Sequence, residues 1–371
     1  MLLNMVLSNQ PTIPWWQTSF DNGEAEAVGE AIRAKKISQG DVTKTFETAL
    51  SEFLEVDHVI ATNSGTSAIT LALMGIGIKP GDEVLVPNRT WIATAHAVHI
   101  LGAVPIFVDS EPGIPIMSTG NLQQHLTSLT KAIIPVHVNG REANMDEING
   151  FARAHGLLVI EDAAQAIGSK GATGKFVGTN SSAGCFSLSV AKLIATGQGG
   201  FIATNDSKLA NRFRNLRTHG VENTIVPGAW DQPGFNFRFT DILATIGILQ
   251  LGLLPKRIKR IKEIEARYKS GLREILTVNY IDTKVNEVGP YIEVLANERD
   301  RLRSFLSSQA VSIETRPFYP NLNTAHYWKL RNTVHLPNSI KFQQNGLYLP
   351  SGPSILDSEI DYVLSALQDF S

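Results

Sequence analysis

Short apolar runs alternate with helical patterns along most of the chain before residue 240. The runs that predict strands span residues 58–62, 83–86, 105–109, 131–137, 157–162, 183–188 and 200–204. Several of them are β-branched and apolar on both faces, so they belong in a sheet that helices cover on both sides. Helical patterns between them span residues 64–76, 91–101, 143–155 and 207–218. This alternation predicts an α/β domain with a mostly parallel central sheet.

Further elements flank this region. Near the start, Asp21 and Asp41 are candidate N-caps of two helices. From residue 240 a long helical pattern runs toward residue 276 and is interrupted at Pro255. Short strands then mix with helices, at 278–281, 291–294, 298–309, 311–315 and 357–370. We therefore expect a large α/β domain over residues 1–254 and a smaller α+β domain over residues 255–371.

Charge and apolar runs exclude several classes of protein. The 33 basic and 35 acidic residues leave a formal charge of -2, which argues against a nucleic-acid binder. The basic run 255–262 therefore predicts a solvated helix face, with Ile258, Ile261 and Ile264 on the opposite side. The longest apolar run, 242–254, is shorter than the about 20 residues of a membrane span. Residues 1–10 lack the cationic start of a signal peptide.

The single cysteine, Cys185, excludes an intrachain disulfide and any all-cysteine metal or iron–sulfur site within one chain. We expect a cytoplasmic protein with no resident metal and no membrane partner.

An acidic pair ends one of the apolar strands. Residues 157–162 run into Glu161 and Asp162, and ligands of open α/β sheets sit at the carboxyl ends of the strands. An acidic residue there can bind Mg²⁺, orient a ribose or pair with a protonated heterocycle. The alternative is that Asp162 caps a following helix, and the segment alone leaves both interpretations open.

A lysine with apolar neighbours lies between two predicted strands. Lys192 is flanked by Ala191 and Leu193, and desolvation makes a lysine amine a nucleophile that forms Schiff bases. A solvated surface lysine is the ordinary alternative. Ser187 precedes it as a candidate hydrogen-bond donor to a phosphate, and three glycines follow: Gly197, Gly199 and Gly200. The segment matches neither GxxxxGK[ST] nor GxGxxG after the first strand, so as a phosphate loop it is weak.

A third segment joins a strand to an apolar helix through Ser64, Gly65, Thr66 and Ser67. Free N–H groups at a helix N-terminus favour a phosphate, whereas plain N-capping by Ser64 is the alternative. Taken together, the three segments suit pyridoxal 5'-phosphate (PLP). That cofactor needs a lysine, a phosphate cup, a carboxylate at its pyridine nitrogen and a flat group against its ring, for which Trp91 is the candidate.

The chain resembles the DegT-type nucleotide-sugar aminotransferases, which are fold-type I PLP enzymes. The stretches that carry the resemblance are residues 61–73, 81–109, 131–148, 159–169, 186–204, 234–251, 313–322 and 347–363. Their order and spacing fit the family from about residue 13 to the C-terminus.

The resemblance implies a role for each cofactor residue. Lys192 bonds to the cofactor aldehyde and then shuttles a proton between substrate and cofactor carbons. Asp162 holds the pyridinium, Gln165 donates a hydrogen bond to the phenolic oxygen, and Trp91 stacks on the ring. Gly65, Thr66 and Ser187 bind the cofactor phosphate.

The resemblance also implies partners. Asn236 reaches the cofactor phosphate of a second subunit, which makes an active homodimer obligatory. Basic side chains such as Arg238 and Arg316 meet the diphosphate of the substrate. His137 ends a strand beside the site, either as a substrate contact or as a structural histidine.

Two positions depart from the family pattern. Gln198 stands where the family usually has Glu, and Asn323 stands where it often has His in a loop near the sugar pocket. A related branch that dehydrates sugars has His in place of the lysine, and one of its subclasses adds an iron–sulfur cluster. Lys192 and the lone cysteine speak against both.

The implied activity is transfer of an amino group from L-glutamate to a nucleotide-linked keto-deoxy-sugar. Residues 315–320 resemble the branch that aminates C4 of 4-keto-6-deoxyhexoses, as in perosamine synthesis for lipopolysaccharide. One alternative is an aminotransferase for aminocyclitols or for keto-sugars without a nucleotide. Another is a PLP-binding regulator, which the retention of Lys192, Asp162 and Gln165 argues against.

Overall fold

The computed structural model describes residues 11–20, 22–222, 226, 228–230, 232–328 and 335–370; the candidate cap Asp21 lies outside them. Within these ranges the strands are β1 (Thr12–Ile13), β2 (His58–Thr62), β3 (Glu83–Pro87), β4 (Val104–Val108), β5 (Thr130–Ile133), β6 (Leu158–Asp162), β7 (Ala183–Ser187), β8 (Gly200–Thr204), β9 (Val278–Tyr280), β10 (Ile292–Ala296), β11 (Ser312–Ile313), β12 (Arg316–Pro317) and β13 (Gly346–Leu349).

The helices in the same ranges are α1 (Glu24–Arg33), α2 (Asp41–Leu54), α3 (Gly65–Ile76), α4 (Ala93–His99), α5 (Leu122–His125), α6 (Met145–His155), α7 (Ser207–Arg217), α8 (Asp241–Gly252), α9 (Leu254–Gly271), α10 (Arg299–Ser307), α11 (Pro337–Asn345) and α12 (Asp357–Asp369). Single turns of 3₁₀ helix occur at Val138–Gly140, Leu272–Glu274 and Leu322–Thr324.

The central sheet has the strand order β2-β8-β7-β6-β5-β3-β4 in the described part of the chain. Strands β7, β6, β5, β3 and β4 pair in parallel, whereas β8 pairs antiparallel with both of its neighbours. The predicted α/β class with a mostly parallel sheet is confirmed, and each strand predicted before residue 240 is present.

Both faces of this sheet are buried, as the apolar strands predict. Along β2 and β8, Ile60 and Ile202 pack into one apolar cluster, which also holds Ile69 of α3. Their neighbours Ala61 and Phe201 point the other way and join a second cluster. Because successive side chains of a strand face opposite sides, helices cover the sheet on both faces.

A second sheet lies in the C-terminal part, with the order β12-β13-β10-β9 and antiparallel pairing throughout. The N-terminal β1 pairs in parallel with β11, so the start of the chain packs beside this part. One apolar cluster contains residues of both sheets, such as Phe186 and Val294. The division into domains 1–254 and 255–371 therefore stays a prediction.

The predicted capping by Asp41 is wrong. Asp41 is the first residue of α2, and its N-cap is Gly40, which has no side chain to accept a bond. The cap comes instead from a distant carboxylate. Asp241 Oδ1 accepts hydrogen bonds from the Gly40 and Thr43 N–H groups at 2.9 and 2.8 Å. That contact ties α2 to the start of α8.

The long helical pattern forms two helices that meet at Leu253–Leu254, next to Pro255. On α9, Ile261 and Ile264 are buried while Lys259 is largely exposed, as predicted for a solvated basic face. Arg257 departs from that prediction, because it is 5% exposed and donates hydrogen bonds to the Leu193 carbonyl and to Gln250 Oε1. Among the described helices, none combines the length and the apolar character that crossing a membrane requires.

Candidate active site

A cavity of about 310 Å³ opens where β6 and β7 end and α3 begins, which is where ligands bind in open α/β sheets. The C-terminal part closes it from the other side with Tyr291, Arg316 and Tyr319. The cavity brings together most of the residues predicted for the cofactor: Gly65, Thr66, Trp91, Asp162, Gln165, Ser187 and Lys192.

Asp162 ends β6 and is 4% exposed. Its Oδ2 accepts a hydrogen bond from Thr94 Oγ1 at 2.7 Å, and its Oδ1 accepts one from the Ala164 N–H at 3.1 Å. Residues 163–182 form turns rather than a helix, so the helix-capping interpretation is wrong. Burial raises the pKa of this carboxyl, whereas the bond from Thr94 and the nearby Lys192 act against that rise.

Lys192 lies in the loop between β7 and β8 and lines the cavity. Its Nζ is 3.4 Å from Tyr291 Oη, the long end of hydrogen-bond distance. Burial lowers the pKa of this amine to about 8, with Asp162 opposing the shift. A larger fraction of the amine is therefore neutral and nucleophilic near neutral pH than for an exposed lysine.

Gln165 is held by a backbone contact that decides which way its amide faces. Gln165 Oε1 accepts a hydrogen bond from the Asn139 N–H at 2.8 Å. The oxygen is thereby occupied, and Nε2 is left as the atom that can act toward the cavity. An amide NH₂ can only donate, so Gln165 offers the cavity a hydrogen-bond donor.

The start of α3 forms the candidate phosphate cup. Ser64 Oγ accepts the Ser67 N–H at 3.0 Å, so Ser64 does cap the helix. Gly65 and Thr66 are the first two helical residues and line the cavity together with Ser187. A Cβ at Gly65 would lie 3.0 Å from Ser187 Cβ. The glycine therefore permits the close approach of α3 to β7.

Trp91 stands at the rim of the cavity with 52% of its surface exposed. Its ring meets that of Tyr319 edge-on, with centroids 4.7 Å apart. One face of the indole is therefore free of this neighbour, as stacking against a flat ligand requires.

The structure separates the candidate substrate residues. Arg316 lines the cavity, and its guanidinium lies 4.1 Å above the centre of the Trp15 ring. Arg238 and Asn236 lie outside the cavity lining of their own chain. Arg238 Nε donates to Asn236 Oδ1 at 2.8 Å. Of the three predicted substrate residues, only Arg316 is placed to meet a ligand in this chain's cavity.

His137 has no exposed surface, and both ring nitrogens are bonded. Its Nδ1 accepts the Ala143 N–H at 3.1 Å, so Nε2 carries the proton and donates to Glu161 Oε2 at 3.0 Å. Glu161 also accepts the N–H groups of Gly178 and Asn180. This geometry does not support the substrate role predicted for His137 and favours the alternative of a structural histidine.

Three residues of the site were missed in the sequence. Thr94 bonds to Asp162, Tyr291 contacts Lys192, and Trp15 lies beneath Arg316. Thr94 follows Trp91 by three residues within a stretch that matches the family, and that spacing is the one available signal. Tyr291 and Trp15 approach the site from distant parts of the chain.

The donor set fits PLP. One cavity is lined by five groups that suit this cofactor: a buried carboxylate, a lysine of lowered pKa, an amide donor, a helix N-terminus that begins with glycine, and an exposed indole. In the described ranges, no group of three or more histidine, cysteine, aspartate and glutamate side chains is arranged to hold a metal ion.

Comparison with known proteins agrees with this fit. The chain is 35% identical to a GDP-perosamine synthase of Escherichia coli O157:H7 over 363 residues, covering 96% of this chain and 98% of that protein. It is 32% identical to the dTDP-3-amino-3,4,6-trideoxy-alpha-D-glucose transaminase of Streptomyces venezuelae, covering 97% of each. The fold matches the crystal structure of S. venezuelae DesV in complex with a ketimine intermediate. That match has a TM-score of 0.91 and 30% identity, and it covers 97% of this chain and 98% of that one.

The family match spans nearly the whole chain, over residues 18–368. It confirms the resemblance, the PLP cofactor and the aminotransferase activity expected from the sequence. The chain belongs to the DegT/DnrJ/EryC1/StrS family of PLP-dependent aminotransferases.

Proposed function

We propose that this enzyme transfers the amino group of L-glutamate to a nucleotide-linked keto-deoxy-sugar, with a 4-keto-6-deoxyhexose as the ketone. One observation carries the proposal: the cavity sets Lys192 and Asp162 together with Arg316, in a chain whose relatives are named as nucleotide-sugar transaminases. The product is an amino sugar for a surface polysaccharide or glycoconjugate.

The side chains divide the chemistry among them. When bound, PLP supplies the electron sink for the carbon that loses or gains a proton. Asp162 keeps a proton on the pyridine nitrogen, because an ionised carboxylate beside that nitrogen favours its charged form. Gln165 donates to the phenolic oxygen through Nε2. Lys192 takes and returns a proton at Nζ, and its lowered pKa suits that exchange near neutral pH.

The two departures from the family pattern lie in different settings. Gln198 lines the cavity and is exposed, so the neutral amide removes a charge there while keeping a polar group. Asn323 lies in the short turn Leu322–Thr324, and its N–H donates to Asn88 Oδ1 at 2.9 Å. We infer that Gln198 is compatible with catalysis and that the turn at Asn323 helps to select the sugar.

Arg316 is our candidate for the substrate diphosphate. Guanidinium groups bind phosphate through several donors at once, and this one stands at the cavity wall on the side of the second sheet. Binding energy from the diphosphate is remote from the reacting carbon and can be used to orient the ketone.

The test is a substrate panel. GDP-, UDP- and dTDP-linked 4-keto and 3-keto sugars are each incubated with L-glutamate, and products are identified by mass spectrometry. We expect a 4-amino sugar and 2-oxoglutarate, with a much lower kcat/KM for the same hexose without its nucleotide. Equal rates with and without the nucleotide overturn the proposal. Amination of an inosose alone moves the enzyme to the aminocyclitol alternative.

We also infer a homodimer with shared active sites. Asn236 is exposed and lies outside its own cavity, and the nearby Trp230 and Phe235 are 73% and 39% exposed. Such apolar side chains around a polar group are typical of a surface that a second copy covers.

Subunit mixing tests this inference. Asn236→Ala and Lys192→Ala chains are each expected to be inactive alone. A mixed dimer places both lesions in one site and leaves the other intact, so partial activity returns. An active monomer in sedimentation, or no recovery despite proven subunit exchange, counts against it. We also propose a cytoplasmic location, with which a chain that holds one cysteine is compatible.

A further inference from the structure

Asn139 occupies a backbone conformation that few residues adopt. Its φ is +53° and its ψ is +41°, the left-handed region, and its side chain is 1% exposed. Asparagine tolerates this region better than most residues other than glycine. Asn139 lies in the turn after β5. A buried asparagine in the left-handed region there indicates that its contacts hold the backbone in this conformation.

The constraint is visible in three hydrogen bonds. The Asn139 N–H donates to Gln165 Oε1 at 2.8 Å. Its side-chain amide pairs with the backbone of Tyr291 at both ends. Asn139 Nδ2 donates to the Tyr291 carbonyl at 2.8 Å, and Asn139 Oδ1 accepts the Tyr291 N–H at 2.9 Å. A side chain that offers one donor and one acceptor is what this two-point pairing needs.

Tyr291 contacts the loop that holds Lys192. It precedes β10, and its ring is buried. Its hydroxyl donates to the Ala191 carbonyl at 2.6 Å and lies 3.4 Å from Lys192 Nζ. With its own proton engaged by Ala191, the hydroxyl can only accept from the lysine. An accepted hydrogen bond favours the charged form of an amine.

We propose that Asn139 is a positioning residue that acts on Lys192 through Tyr291. It fixes the Tyr291 backbone against the turn that follows β5 of the central sheet, and the Tyr291 hydroxyl thereby steadies the Lys192 loop. The Asn139 side chain holds Tyr291 and its backbone N–H holds Gln165, so the docking of the second sheet and the orientation of two cofactor groups depend on one residue. The proposal rests on the use of PLP by the family and not on the identity of the sugar.

The close approach of the two segments supports this role. A Cβ at Gly140 would lie 1.9 Å from the Val288 carbonyl oxygen, so the turn after Asn139 touches the backbone that leads to Tyr291. Arg141 continues the contact, with its Nε donating to the Asp282 carbonyl at 2.8 Å. Residues 139–141 therefore contact the C-terminal part along a continuous line, and Asn139 is the one whose side chain bonds to Tyr291.

The test uses cofactor capture rather than turnover. PLP is added to the cofactor-free protein between pH 6 and 10, and the rate at which the visible band appears is measured. That rate follows the neutral fraction of Lys192. Tyr291→Phe removes the hydroxyl but keeps the backbone pair with Asn139. Asn139→Gly keeps the left-handed backbone and the N–H to Gln165 but removes both bonds to Tyr291.

We expect each single variant to move the pH of half-maximal capture downward by about half a unit. The double variant should move it no further than either one, because both lesions remove the same contact. Leu306→Ala, in the buried core of α10, serves as the control: it lowers the unfolding midpoint and leaves the capture profile unchanged.

Two results from the variants that change Asn139 overturn the proposal. One is an Asn139→Gly protein that is less stable yet captures PLP with the wild-type pH profile. The other is a double variant whose shift equals the sum of the single shifts. Asn139→Ser replaces the glycine variant if that protein fails to fold. An unchanged profile in Tyr291→Phe overturns the proposal by itself. The assay contains neither sugar nor glutamate, so its outcome is independent of the proposed sugar substrate.

Discussion

Thr94 donates a hydrogen bond to the buried carboxylate of Asp162, with Thr94 Oγ1 2.7 Å from Asp162 Oδ2. Thr94 lies at the start of α4, three residues after Trp91. One short segment therefore supplies both the exposed ring at the cavity rim and the hydroxyl that bonds to the buried carboxylate at the end of β6. The bond opposes the rise in the pKa of Asp162 that burial causes.

Removing the Thr94 hydroxyl should lower kcat/KM at acid pH. In Thr94→Val the carboxylate loses a hydrogen bond worth about 1.5–3 kcal/mol to a charged group, so its pKa rises further. The acid limb of the kcat/KM profile then moves to higher pH. Thr94→Ser keeps the hydroxyl and should keep the wild-type profile. Identical profiles for valine and wild type would show that Thr94 does not act on Asp162.

The lysine should capture its cofactor with a defined pH dependence. Burial lowers the pKa of Lys192 to about 8, so the amine becomes neutral as the pH rises through that value. The rate of PLP capture should rise with pH and level off above about pH 9, and it should be about tenfold below its plateau at pH 7. The measurement is the growth of visible absorbance in cofactor-free protein.

Two variants control this measurement. Lys192→Ala should show neither the band nor turnover. Lys170→Ala should behave as wild type, because Lys170 lies outside the cavity lining with its Nζ 4.5 Å from the centre of the Phe176 ring. A plateau already reached at pH 6, or a band that survives in Lys192→Ala, would contradict the assignment.

Gln165 should matter as a donor and not merely as a space filler. Gln165→Glu can still accept the Asn139 N–H through one carboxylate oxygen but offers no N–H to the cavity. A carboxylate beside a phenolate oxygen is repulsive, so PLP affinity should fall by at least tenfold, on the order of 1.4 kcal/mol. Fluorescence titration of the cofactor-free protein measures it. Wild-type affinity in this variant would place the phenolic oxygen elsewhere.

His137 should affect folding and not substrate binding. His137→Ala removes a donor from buried Glu161 and an acceptor from the Ala143 N–H. An unsatisfied buried polar group costs about 1–3 kcal/mol, so urea unfolding should show a loss of about that size or more. The KM for the keto-sugar, measured on the folded fraction, should not change. A raised KM with normal stability would restore the substrate role.

Much of the fold could be predicted because its signals are local. The strands at 58–62 and 200–204 have apolar centres; the first ends two residues before Ser64, and the second begins directly after Gly199, both of which line the cavity. The segments around Lys192, Asp162 and Gly65 each left two interpretations open when taken alone, and the cofactor roles followed from their combination and from the resemblance to the family.

The residues that were missed act across long separations in sequence. Asp241 caps α2 by accepting the N–H of Thr43, which is 198 residues earlier in the chain. Asp109 likewise accepts the Ser339 N–H at the start of α11. Tyr291 reaches Lys192 over a separation of 99 residues. No periodicity or spacing links such pairs, because the contact exists only once the two sheets have packed. The two interpretations of His137 stayed open in the sequence for the same reason, since its partners Glu161 and Ala143 are not apparent there.

The most direct test of the account is a single-turnover titration of the PLP-loaded enzyme. L-glutamate added in slight excess should bleach the visible band and release 2-oxoglutarate. After free glutamate is removed, a nucleotide-linked 4-keto-6-deoxyhexose should restore the band and yield one amino sugar per active site. A band that glutamate does not bleach would contradict an aminotransferase site at Lys192. A bleached enzyme that no nucleotide-linked keto-sugar restores would contradict the proposed substrate.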